Sequence, residues 1–260
     1  MKELNVIVST ALLQIKSSLA RSMFRFCLLA NPVVNTVLLY EMFVNSQRED
    51  FLSYVVLGAG LMALWSCICF SSAGDINRER YNGTLSLIYM APAGFRTIIA
   101  GKVAGNTILS MITFLLSFAT TKILFDVRME VAHPIYLLTA FICTIGSFSV
   151  ISVFLAYLLT LSRKTQLYMN CIEIPVILVC GFVFPADILP VFLRPVSYVL
   201  SPTWAVKLLR LSVSDTFNIR EYYLTLLILV GVTGLYILLG HFLAVVIERQ
   251  VRIAATLEVN

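Results

Sequence analysis

The residues able to do chemistry are few and fall in two places. The first is Arg78-Glu79-Arg80, followed by Gly83-Thr84-Leu85 and Pro92. Three adjacent charges can exchange charge-assisted hydrogen bonds with a partner, and such bonds are stronger than neutral ones. No catalytic set of residues accompanies them, so they make no catalytic site. The second is Glu173, next to Pro175 and upstream of Phe182, Phe184 and Pro185. A lone acid in an apolar run suits a cavity or a partner, or a reach to Arg163 and Lys164 at the end of the segment. The two phenylalanines could plug a path or be ordinary packing aromatics.

Other chemistry is excluded. The phosphate-binding pattern G-x-x-x-x-G-K-[ST] does not occur, because Val103 follows Gly101-Lys102. There is no Ser/His/Asp set and no H-E-x-x-H, and the two histidines, His133 and His241, are far apart and carry no assigned role. Cys67 and Cys69 lack a second pair to complete a zinc site, so no metal site and no cofactor of this chain is expected. All six cysteines sit in apolar runs as small hydrophobes.

The elements around these residues belong in lipid. Apolar residues make up 59% of the chain and charged ones 13%, with a mean hydropathy of +0.91. A soluble domain has about 25% charged residues, so the chain reads as an all-α polytopic membrane protein. Apolar positions Leu4, Ile7, Val8, Ala11, Leu12, Ile15 and Leu19 recur at helical spacing, which predicts an interfacial helix over residues 1–25. Gln14, Lys16 and Ser17 interrupt any signal-peptide core. Six spans are expected, at residues 26–44, 51–73, 98–125, 135–161, 168–184 and 222–247, the first broken at Asn31-Pro32. Residues 77–92 form a polar amphipathic helix, with Tyr81, Leu85 and Ile88 on one face and Gly83 allowing close backbone approach. The proline-broken stretch 185–214, with Pro190 and Pro202, reads as a re-entrant hairpin on the other side. Its Lys207 and Arg210 are placed to snorkel to phosphates. Twelve Lys and Arg fall on the side of the termini and seven on the other, which puts both termini in the cytoplasm. The net charge of +5 is then a topology signal, and no nucleic-acid partner is implied.

Arg78-Glu79-Arg80, Gly83-Thr84-Leu85 and Pro92 resemble the E-R-x-x-G-T-L-(x)n-P signature of ABC-2 type transporter permeases. The stretch from Leu189-Pro190 through Ser201-Pro202-Thr203 to Arg210 resembles that family's second signature, with Ser201 in place of the usual Asn. The resemblance covers the whole chain. It implies that residues 77–92 are a coupling helix that meets a separate nucleotide-binding ATPase subunit, which binds the ATP and Mg. It also implies a dimer with a second permease, the same chain or a paralogue, with residues 51–73 and 168–184 as seam and pathway walls. The function so implied is export of an amphipathic drug, peptide or antibiotic-like substrate across a bacterial plasma membrane. The lipid-linked polysaccharide branch is the alternative within the family. Outside it stand an ion-gradient-driven transporter centred on Glu173 and a non-transporting subunit that only recruits an ATPase. The charged stretch alone fits a lipid-anchored helix with a solvated face equally well.

Overall fold

The computed structural model describes residues 2–44, 51–91, 93–125, 133–160, 165–184, 188–214 and 217–254. Pro92, Pro185, Arg163 and Lys164 lie outside them. The described residues form helices in the order α1 (Lys2–Ala20), α2 (Ser22–Phe43), α3 (Phe51–Tyr81), α4 (Leu85–Met90), α5 (Phe95–Phe125), α6 (Pro134–Thr160), α7 (Thr165–Val179), α8 (Arg194–Val199), α9 (Ser201–Val213) and α10 (Ile219–Ala254), with no strand. Five of these, α2, α3, α5, α6 and α10, are long and apolar enough to cross a membrane.

Residues 168–184 were read as a crossing helix, but α7 has 15 residues, about 22 Å at 1.5 Å per residue, against a hydrocarbon core of about 30 Å. The helix unwinds at Cys180, and Gly181 takes the left-handed conformation (φ +81°), which glycine adopts without steric cost. The region read as a re-entrant hairpin contains α8 and α9, and α9 packs on α6, α10 and α3. Its Pro202 sits in the first turn and is buried, where a missing N–H leaves no bond unmade. Asn31-Pro32 does not break the first span. Pro32 lies inside α2, and Thr36 donates to its carbonyl at 2.7 Å.

At the centre is α3. Some 80% of its apolar window is buried within one chain, against 11% for α10. Trp65, Leu61, Leu64 and Ile68 are fully enclosed, and Trp65 meets Phe148 edge-on at 5.4 Å. A span read as a seam between two copies is therefore mostly spent inside the protomer.

The first helix has a mixed outer face, with Asn5, Ser9, Lys16 and Ser17 exposed beside its leucines. Its polar Gln14 and Ser18 are buried, while Leu4, Val8, Leu12, Leu13 and Leu19 face outward. In lipid the apolar face can stay exposed and the polar face must find protein partners. Contact with α5 is made at Gly101 and Gly105. A Cβ at Gly101 would stand 2.8 Å from Thr10 Cβ and 2.9 Å from the Ile7 carbonyl oxygen. One at Gly105 would stand 2.7 Å from the Ala11 carbonyl oxygen. The G-x-x-x-G spacing lets two backbones approach as in other lipid-embedded helix pairs.

Candidate functional site

The stretch expected as one helix over residues 77–92 is two elements joined by a turn. The third helix continues through Arg78, Glu79 and Arg80 to Tyr81 and ends in a Schellman motif. Thr84 N–H donates to the Glu79 carbonyl at 2.9 Å, and Gly83 N–H donates to the Arg80 carbonyl at 3.1 Å. Gly83 has φ +68°, and a Cβ there would meet nothing within 4 Å. Its glycine thus serves the left-handed turn and no close approach inside the chain. The break also separates the residues read as one face: Tyr81 is 90% exposed and Leu85 only 3%.

Each signature residue at the turn has a partner within the chain. Glu79 accepts from Lys102 Nζ on α5 with one carboxylate oxygen and from Thr84 Oγ1 with the other. Arg80 Nη2 donates to the Thr160 carbonyl at 2.5 Å, capping α6 where the last carbonyls lack intrahelical partners. Leu85 points inward. Tyr89 of α4 stacks on Phe95 at 4.2 Å, in a cluster that also takes Ile76, Tyr157, Ala244 and Ile247 from α3, α6 and α10. The turn is therefore a clasp that binds the near ends of four long helices. What it presents outward is Tyr81, Leu87 and Met90, which are 90%, 63% and 80% exposed.

One helical turn before this clasp lies a buried polar knot that the sequence reading passed over. Asp75 of α3 is 1% exposed. It accepts from Arg78 Nη2 at 2.6 Å, from Asn106 Nδ2 at 3.0 Å and from Gln14 Nε2. Gln14 also donates to Asn106 Oδ1 at 3.0 Å and to Ser18 Oγ at 3.1 Å. Arg21, in the break between α1 and α2, donates to Ser18 Oγ at 3.0 Å and stands 3.9 Å from Asp75. Burial first, and then the like charge of Arg78, lower the pKa of Arg21, with Asp75 opposing. The knot ties α1 to α3 and α5 just behind the clasp. Its sequence signal was an acid at the border of an apolar run, three residues before Arg78.

The second group of candidates is divided. Glu173 of α7 is buried, with Ser66 of α3 beside it. Phe182 is fully buried, 6.3 Å from Trp65 and 6.0 Å from Phe148. Phe184 keeps 38% exposure, and Pro175 lies on the outer face of α7. At the far end, Arg194 donates to the Leu189 carbonyl at 3.0 Å, and exposed Pro190 accepts from Leu193 N–H at 2.9 Å. Lys207 and Arg210, read as reaching for phosphates, both have protein partners. Lys207 pairs with Glu221 at 3.0 Å, and Arg210 donates to the Phe182 carbonyl at 2.9 Å. Among the described residues, no group of three or more His, Cys, Asp or Glu side chains could hold a metal ion.

Five apolar helices of crossing length, lipid-compatible outer faces and polar side chains drawn inward define a multi-pass membrane protein. Residues 3–242 match the family model described as ABC-2 family transporter protein. The chain belongs to that family, as a permease membrane subunit. In this family the membrane subunit is typically non-catalytic and ATP hydrolysis resides in a partner. No curated protein matches the chain.

Proposed function

We propose that this chain is the membrane half of an ATP-driven exporter and receives force through the turn at residues 82–84 and α4. The observation that carries this reading is the apolar outer surface of Tyr81, Leu87 and Met90, held on a clasp that is pinned to α5 and α6. Exposed aromatic and apolar anchors on a rigid support are what a protein interface uses, and they lie at the end of α3, past its apolar stretch. The partner that fits is a nucleotide-binding ATPase, which binds the ATP and Mg. Arg78, Glu79, Arg80, Gly83, Thr84 and Leu85 hold the clasp in shape instead of touching the partner directly. Movement of α4 then reaches α5 through Lys102, α6 through Thr160, and α1 through Asp75.

Two permeases, two ATPases and both termini on the ATPase side of a bacterial plasma membrane complete the assembly. The cargo suited to apolar walls is amphipathic, a drug, peptide or antibiotic-like molecule. The exposed face of α7, with Ile174, Pro175 and Leu178, and then Phe184, is the surface left to line its path.

The test is affinity purification of the tagged chain from membranes in mild detergent, with the co-purifying subunits identified. A P-loop ATPase should be recovered with the wild-type chain and lost with Tyr81→Asp or Met90→Asp, while the yield of the permease is unchanged. Recovery of no ATPase, even after crosslinking in the membrane, overturns the reading.

A further inference from the structure

Beside the clasp, α5 and α10 both pack on α6 and leave an open cleft of about 510 Å³ between them. Small residues make the room: Ala100 and Ala104 on α5 face Gly240 and Ala244 on α10. A Cβ at Gly240 would meet nothing within 4 Å. From Arg96 at the mouth to Ile108 at the far end, the α5 wall covers about 18 Å at 1.5 Å per residue. That is close to one leaflet's share of a hydrocarbon core of about 30 Å.

The two ends of the cleft differ in chemistry. The end away from Arg96 is lined by Ile108, Val150, Phe154 and Ile237. The hydroxyls among them are already used: Thr107 donates to the Val103 carbonyl at 2.8 Å and Ser149 to the Ile145 carbonyl at 2.8 Å, and the two meet at 2.9 Å. Nothing there asks a ligand for a polar group. At the mouth, Arg96 Nη1 lies 3.1 Å from His241 Nδ1 in an exposed pair. Two nitrogen-bearing side chains over an apolar slot complement a negative headgroup carrying acyl chains.

We propose that this cleft binds an acidic phospholipid from the leaflet on the side of Arg96, with its phosphate at Arg96 and His241 and an acyl chain along Ala100, Ala104 and Gly240. The site stands on the membrane placement alone and is independent of ATPase coupling. A lipid seated there bridges α5 and α10 along the cleft, beyond their direct contact at Arg96 and His241. It therefore loads two of the helices that the clasp gathers.

The test is native mass spectrometry of the delipidated full chain, titrated with phosphatidylglycerol or with phosphatidylcholine of the same acyl chains. The wild-type chain should retain phosphatidylglycerol about fivefold better, the equivalent of the roughly 1 kcal/mol that one basic residue contributes near an anionic surface. Arg96→Gln should bring the two lipids to parity while both still bind. Gly240→Leu, whose side chain enters open space, should lower both without changing the gel-filtration profile of the chain. Equal binding of the two lipids by the wild-type chain, or unchanged binding in Gly240→Leu, overturns the proposal. So does efficient disulfide crosslinking of two copies through Ala104→Cys, which makes the cleft a subunit seam.

Discussion

Arg210 Nη2 donates to the carbonyl oxygen of Phe182 at 2.9 Å, so a charge from α9 closes the open end of α7. That carbonyl is also crowded by α3, since a Cβ at Gly58 would stand 2.7 Å from it. The carbonyl lies just past the end of a helix that has stopped early, and in lipid an unpaired backbone group is costly. Arg210→Ala should destabilise the chain by about 1.5–3 kcal/mol, the usual worth of a hydrogen bond to a charged group. Thermal unfolding in detergent reads this. Arg210→Lys should recover only part, and full stability in Arg210→Ala would show that the end of α7 needs no cap.

The two phenylalanines near that cap should behave differently. Phe182 is enclosed by Trp65 and Phe148, so Phe182→Ala opens a core cavity at a cost of about 3–5 kcal/mol. Phe184 is 38% exposed, and Phe184→Ala should change stability by no more than about 0.5 kcal/mol. If Phe184 gates a path, its replacement raises substrate leak in reconstituted vesicles at unchanged melting temperature. A Phe182→Ala chain as stable as wild type would place that ring outside the core.

Gly105 carries the seat of α1. With the Ala11 carbonyl oxygen 2.7 Å from the Cβ position, Gly105→Ala forces the two backbones apart. The expected loss is about 1–3 kcal/mol, as for other overpacked contacts, with faster hydrogen exchange over residues 10–18. The control is Gly234→Ala, where a Cβ meets nothing within 4 Å. There the same change should be neutral or stabilising by about 0.4–1 kcal/mol. Equal behaviour of the two variants would mean that α1 is not seated on that glycine.

What the sequence made legible, and what it did not, follows from the solvent. Apolar runs gave five crossing helices close to their observed bounds, because hydropathy and length constrain a lipid-exposed helix strongly. The length of α7 was not legible. Its apolar run continues through Phe184, and only Gly181, one glycine among apolar neighbours, marks where the helix stops. The first helix was read with its apolar face as the informative one, yet the inward face carries Gln14 and Ser18. Outward leucines suit an interfacial helix, but the apolar spacing says nothing of which polar residues turn inward. Asp75 was the same lesson in one residue: an acid at the edge of an apolar run needs buried partners, and Gln14 and Asn106 supply them from 61 residues before it and 31 after it. Such long-range pairing has no local signal. The clasp was located by its signature, but the direction in which Glu79 points was set by Lys102, a residue read only as a topology charge.

That direction changes how Glu79 should be tested. A partner-facing carboxylate would lose its effect in the isolated permease, whereas an internal clasp couples Glu79 to Lys102. Glu79→Lys places two ammonium groups together and should break transport while the ATPase still co-purifies, since Tyr81, Leu87 and Met90 are untouched. Lys102→Glu alone should do the same with two carboxylates. Combining the two restores an opposite-charge pair in reversed order, and transport per ATP hydrolysed should return toward wild type. A coupling of about 0.5–3 kcal/mol is the range for residues in one network. Effects that simply add in the double variant would break the internal clasp as an explanation, and a loss of ATPase binding in Glu79→Lys alone would return that carboxylate to the partner surface.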